Sequence, residues 1–342
     1  MQHEILTAAP LLDRKGDLAE PGWARSLLPV YCRDEIKAGK LRIKEWDYYL
    51  ITDGHIGLAL TIADNGYMGL DSISFLHFDE GWEQTKSPMR LFPRGKTGLP
   101  ETSVDGASEI ARGGYAMAFY HEDDARCLTF HMDNFRGKDA IEGIVRLTDE
   151  PRESIVIATP FEKPKHFYYN QKINCLRAEG WIELGDRRFE LTPDRFFAVL
   201  DWGRGVWTYR NTWYWGSASG LLDGVPFGWN IGYGFGNTAA ASENALFYDG
   251  VLHKLSQVTF EIPQKDGKYD YLAPWKFTSD DNRFYMDFTP VLDRSACMNV
   301  GVLKSDQHQV FGHFTGRVTL DDGTVLPVRD FFGFAERVEN KW

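Results

Sequence analysis

Cysteine is scarce: the 342 residues hold four, Cys32, Cys127, Cys175 and Cys297. None lies at a Cys-x-x-Cys spacing, which excludes a zinc knuckle and a disulfide framework as the organising device. They read as small buried or partly buried residues, and no metal site is expected. No apolar run approaches the roughly 18 residues of a membrane-spanning helix. The opening MQHEILTAAPLLDRKGDLAE lacks a basic segment followed by a long apolar core, so a cytoplasmic protein without an integral membrane segment is expected. Excess positive charge is missing as well. With 38 basic against 49 acidic residues the formal charge is −11, and no basic patch of useful size interrupts it, so nucleic acid is not an expected partner. Long helical periodicity is absent, leaving little room for helix.

Aromatic residues and glycine are plentiful. The chain is 43% hydrophobic and 14% aromatic, enough for real cores, and its length suits about two domains. The densest stretch is 201–237, DWGRGVWTYRNTWYWGSASGLLDGVPFGWNIGYGFGN. From Trp207 its odd positions read Trp207, Tyr209, Asn211, Trp213, Trp215, a period-two pattern that predicts a strand with one aromatic face. After a short loop the odd positions are again apolar or aromatic through Tyr233 and Phe235 to Asn237, while the even ones are mostly glycine. Strand glycines mark a bend, a bulge or the close approach of a ring or ligand, and four on one face favour a strongly coiled, barrel-like sheet. Strand register decides which rings meet which glycines.

Rings with a few fixed polar groups are the usual lining of a small-molecule site. Trp207, Tyr209, Arg210, Asn211, Trp213, Trp215, Tyr233 and Asn237 are therefore the candidate ligand-binding residues. The odd face of the Trp207 strand is expected to face the ligand, because its rings are too large a group to leave in water. Asn211 would be the polar group among them.

Six Asp-Gly pairs, at Asp53, Asp105, Asp223, Asp249, Asp266 and Asp322, are spread along the chain. Asp-Gly between alternating segments signals a tight hairpin, since both central residues of a type I′ turn need positive φ. An antiparallel meander follows. Residues 1–40 read as an arm packed on the body. Residues 80–106 read as a polar surface loop, with a lid as the alternative. Ala118-Phe119-Tyr120, followed by strands ending at Phe161, is echoed by Leu246-Phe247-Tyr248, followed by strands ending at Trp275. The echo predicts two β-domains, 1–165 and 166–342, joined near Glu162 to Lys172, with the main pocket in the second. Pro327 within the last strand predicts an edge position or a bulge.

Three patterns mislead. Gly232-x-Gly234-x-Gly236 lacks the third glycine of a dinucleotide loop, which would fall on Asn237. His131 and Asp133 share a face with Cys127 and Thr129, as the solvated side of an amphipathic strand would. The serines near Ser217 lack a nucleophile elbow.

DWGRGVWTYRNTWYWG, the 232–250 run with its Ser-Glu-Asn, the block 272–294 and the closing Gly333 to Trp342 together resemble the domain of unknown function 2804 family. That family is similar in turn to tandem lipocalin-like proteins, which include carotenoid 1,2-hydratases, tocopherol cyclases and some Diels-Alder cyclases. The resemblance implies two tandem antiparallel lipocalin-like (calycin) β-barrel domains and an apolar or amphipathic small-molecule ligand. Gly333 to Trp342 would be the closing strand of the second barrel. No hydratase catalytic residue finds a matching motif here.

Candidate acids lie beside the aromatic hairpin: Asp201, near Arg204, and Glu243, with Asp293 at the end of another apolar run. Each alone suits an ion pair or a cap. Together, Asp201 and Glu243 could supply acid and base to a nonpolar substrate, in hydration, isomerisation or cyclisation without a cofactor. The alternatives are a carrier without turnover and a carbohydrate-binding or carbohydrate-active protein. A buried acid favours catalysis, whereas an open Trp platform favours sugar.

Overall fold

The protein is described as a computed structural model covering residues 2–300 and 303–341; Trp342, at the end of the closing motif, lies outside the described residues. The fold is all-β and antiparallel in its large sheets, as the alternation predicts. Among the described residues helix is confined to two short 3-10 turns, Arg33–Glu35 and Lys40–Arg42. Among the described residues no helix is long and apolar enough to cross a membrane.

Two sheets, of 14 and 9 strands, carry the architecture. In the first, the neighbours running inward from one edge are Trp82–Lys86, Met68–His77, Ile56–Asp64, Ile43–Thr52, Phe197–Val206 and Phe167–Leu184. The second centres on Val225–Tyr233, Arg210–Leu222, Val325–Lys341, Leu303–Thr319 and Phe284–Val300. Both hydrogen-bonded ladders run as open paths among the described residues. The chain leaves the first sheet at Val206 and enters the second at Arg210.

This moves the expected linker. Residues 161–166 form the turn of a hairpin in which Pro160 pairs with Phe167, and Lys172 lies inside a strand, almost fully buried. The Lys and Pro residues that suggested a break are a hairpin turn plus one buried lysine whose charge Asp201 matches. A division at 165/166 would therefore cut a hairpin of the first sheet.

Period two sorts the side chains into three apolar layers. Ile43, Tyr49 and Ile51 enter the core of the first sheet. Tyr48 and Leu50, on the opposite face of the same strand, enter a middle layer shared with Trp215, Phe311 and Phe334 of the second sheet. Trp229, Ile231 and Ala335 belong to the core of the second sheet. Strands at the contact are therefore covered on both faces, and all ten residues of Phe197–Val206 are buried. Each fully buried large apolar side chain contributes about 1.5–3 kcal/mol, so the middle layer holds the two sheets together.

Three of the Asp-Gly pairs, at Asp223, Asp249 and Asp266, have positive φ at both residues. At the other three only the glycine does. Asp53, for example, instead accepts the backbone N–H groups of His55 and Ile56 at 2.9 and 3.0 Å, a side-chain-closed turn. Pro327 pairs on one side with Arg317 and lies beyond the reach of the 210–218 segment on the other, an edge position that tolerates proline. The 80–106 segment contains two short strands. It is pinned by buried Arg90, which donates to Asp71 at 2.7 and 2.8 Å.

Candidate functional site

A cavity of about 260 Å³ opens where the two sheets meet. The even face of Ile43–Thr52 supplies Lys44, Trp46 and Tyr48, and the next strands add Thr61, Ser72, Ser74 and Thr85. Phe167–Leu184 and Phe197–Val206 contribute Tyr168, Lys172 and Asp201; across the gap stand Trp213, Trp215, Arg294, Gln309 and Glu336. The site is thus built by both sheets, between them, and where the main pocket was expected in the second half the cavity takes its lining from both halves. The cores of the two sheets, where a lumen ligand would lie, are filled by their own side chains.

Strand pairing sets the register of the aromatic hairpin. Trp215 lies opposite Gly232, and Tyr214 opposite Tyr233. Gly232 has no room for a side chain, since a Cβ there would lie 2.3 Å from Glu243 Oε1. Trp215 Nε1 donates to Asn230 Oδ1 at 2.7 Å, which fixes the ring. Trp46, Tyr168, Trp207, Trp213 and Phe235 form a continuous ring cluster at one end of the cavity, with centroid separations from 4.9 to 6.0 Å for four of its pairs.

Charge is concentrated at the middle. Lys172 Nζ lies 2.8 Å from Asp201 and 3.9 Å from the centroid of the Trp215 ring, and Asn170 donates to Asp201 at 2.6 Å. Glu336 accepts from Trp213 Nε1 at 2.9 Å and from Gln309 at 3.2 Å. Gln309 also donates to the Tyr48 hydroxyl at 3.3 Å. Burial pushes the Glu336 carboxyl up to about 7, against the pull of the Trp213 hydrogen bond, Arg294 and Lys172. Glu243, behind the cavity wall, is likewise pushed to about 7 by burial and held back by Lys172. Neither of its carboxyl oxygens has a hydrogen-bond partner among the described residues. Lys44 is lowered to about 7, also by burial. A carboxyl that titrates near neutrality on a cavity wall can give or take a proton under physiological conditions.

Of the residues read as candidates, the structure gathers Asp201, Trp207, Trp213 and Trp215 on the wall. Glu243 lies one layer behind. Tyr233 is turned the other way, stacked on Tyr214 at 4.5 Å against the core of the second sheet. Tyr209 and Arg210 are exposed where the chain passes between sheets, and Asn237 is exposed in a turn where it accepts from Ala239 N–H. Asn211 is buried but off the cavity: it donates to Thr208 O at 2.8 Å and accepts the Thr208 hydroxyl at 3.0 Å. The alternation assigned to this face begins only at Arg210, so the residues before it obey the crossover and not the strand. Arg204 does not serve Asp201. It lies on the other face and pairs with Asp47 at 3.0 Å. Asp293 is held by His308 at 2.7 Å.

Glu336, Lys172, Tyr48, Arg294 and Gln309 are the site residues that sequence reasoning passed over. Glu336 had a readable signal: it shares a strand face with Phe332, Phe334 and Val338, an acid on an apolar face. Among the described residues no cluster of three His, Cys, Asp or Glu side chains is placed to hold a metal. His131 is tied at the surface to Asp133 and Glu142, at 3.1 Å each.

A family model described as a domain of unknown function, DUF2804, matches residues 2–342. No curated protein matches the sequence. A solved structure of a Nitrosomonas europaea protein given the name AttH shares the fold with a TM-score of 0.58 at 12% identity, over 96% of this chain and 98% of its own. Kievitone hydratase from Nectria haematococca aligns over 96% and 98% of the two chains with a TM-score of 0.48 at 10% identity. CghA aligns over 98% and 97%, also with a TM-score of 0.48 at 10% identity. At such identities the likeness is one of fold, and that of the last two is too loose to bear on chemistry.

Proposed function

The chain belongs to the DUF2804 family, and from the chemistry of its junction cavity we propose that it binds an amphipathic small molecule there and acts on it by acid–base catalysis. The reaction class is hydration, isomerisation or cyclisation, with Glu336 as the group that gives and takes the proton.

The observation that carries this reading is the position of Glu336: a buried carboxyl near 7, on the cavity wall, held by Trp213 and Gln309. A structural glutamate of this burial would be expected to have a basic partner in contact; here its hydrogen-bond donors are neutral. Proton donation to an apolar substrate builds positive charge, and the faces of Trp46, Tyr168, Trp207 and Trp213 stabilise such charge nearby. Lys172 and Asp201 balance one another and keep a fixed dipole beside the reacting centre. Tyr168 and Trp207 are buried and Trp46 and Trp213 half-buried, which argues against an open platform for sugar.

Incubation of the protein in D₂O with a small-molecule extract of its source cells tests the proposal. At least one compound should gain carbon-bound deuterium with the wild type, and Glu336→Gln should slow that gain by about 10²–10⁴-fold, the usual worth of a positioned acid or base. A compound that co-purifies with the protein and is returned unlabelled would identify a carrier instead.

A further inference from the structure

The two ends of the cavity differ in chemistry. At one end are the rings of Trp46, Tyr168, Trp207, Trp213 and Phe235. The other is hydroxylic: Thr85 Oγ1 donates to Ser74 Oγ at 2.8 Å, and Ser87 to Ser72 at 3.0 Å. In the first sheet the strand carrying Ser72 and Ser74 lies two ladder positions from the strand carrying Trp46 and four from the strand carrying Tyr168, about 10 and about 19 Å at the usual strand spacing of about 4.8 Å. Glu336 stands between them.

Arg294 projects from the second sheet onto the hydroxylic wall, where it donates to Ser74 Oγ at 3.0 Å. Among the described residues no carboxylate lies within ion-pair distance of it. Neighbouring acids are engaged elsewhere, Asp293 by His308 and Asp201 by Lys172. The guanidinium has five N–H donors in a planar fork suited to a carboxylate, and Ser74 satisfies one. Asp201 is matched by Lys172 at 2.8 Å, so the Arg294 guanidinium brings a cationic charge to this cavity within a chain whose formal charge is −11. A site of that sign in such a protein selects for an anionic ligand.

We propose that the ligand is an amphipathic carboxylate whose carboxylate group lies on Arg294 among Ser72, Ser74 and Thr85, and whose apolar body reaches the ring cluster across Glu336. This rests on the reading of the junction cavity as the ligand site and names the class of molecule it takes. Arg294 then orients the substrate and sets the distance from head group to reacting carbon. In this pose the group that receives or loses the proton lies along the apolar body, away from the head.

Two probes separate the claims: 4-(2-naphthyl)butanoate and its primary amide, with binding read by quenching of tryptophan fluorescence. The carboxylate should bind the wild type at least tenfold more tightly than the amide. Arg294→Met should erase that preference by weakening the carboxylate far more than the amide, and Arg294→Lys should keep part of it. Equal affinity of the wild type for both probes, or an equal loss of both in Arg294→Met, would overturn the assignment of Arg294 while leaving the cavity as a ligand site. Binding of neither probe would overturn the cavity reading itself, and the carboxylate assignment with it.

Discussion

Trp213 Nε1 donates to Glu336 Oε1 at 2.9 Å across two adjacent strands. Glu336 lies opposite Trp215 in the ladder, so Trp213 reaches it along the diagonal that long side chains span on one face of a sheet. The bond joins the ring cluster of the cavity to Glu336. It also favours the ionised carboxylate, because an N–H bonds a carboxylate more strongly than a neutral acid.

Trp213→Phe keeps the ring and removes the donor. The Glu336 carboxyl should then titrate at a higher pH, and the pH at which deuterium incorporation falls to half should move upward. An unchanged profile would separate Glu336 from the proton transfer.

Glu243 makes stability depend on pH. Its carboxyl near 7 in the folded protein lies above the ordinary 4.5, so between those values the folded state retains a proton that the unfolded chain has released. Its contribution is fully present below pH 4.5 and is lost as pH rises through 7. Glu243→Gln has no such loss, so relative to the wild type it should gain stability between pH 5 and pH 8, on the order of 2–3 kcal/mol. Urea unfolding at both values measures it. A difference independent of pH would mean that Glu243 is not the titrating group.

Lys172 and Asp201 form a buried pair. Lys172→Met alone strands the Asp201 charge and should cost about 3–5 kcal/mol. Adding Asp201→Leu should return part of that stability, because removing both charges also removes the need to desolvate them. A double variant less stable than the single one would show that Asp201 has another role in the fold.

Asn211→Leu removes the two hydrogen bonds that hold Thr208 at the crossover between sheets. It should lower stability by about 1–3 kcal/mol, the cost of leaving buried polar groups unpaired, with affinity for the naphthyl probes unchanged. Loss of affinity without loss of stability would return Asn211 to the site.

Local pattern alone determined the all-β antiparallel character of this protein: alternation in runs such as Phe227–Tyr233, and Asp-Gly pairs that place turns. It also separated the two faces of each strand, because side-chain direction alternates with every residue. What each face meets was decided only by tertiary structure. Trp215 and Tyr214 are neighbours in the chain, yet one enters the layer between the sheets and the other the core of the second sheet. Both faces are aromatic, so composition does not distinguish them. The cavity follows from the same choice, since it exists only because the outer faces of two sheets pack together and leave a gap. Lys172 and Glu336 are 164 positions apart (336 − 172) and influence one another only across that gap. No period within a strand encodes a meeting between strands of different sheets; sheet packing and the burial of both walls create it.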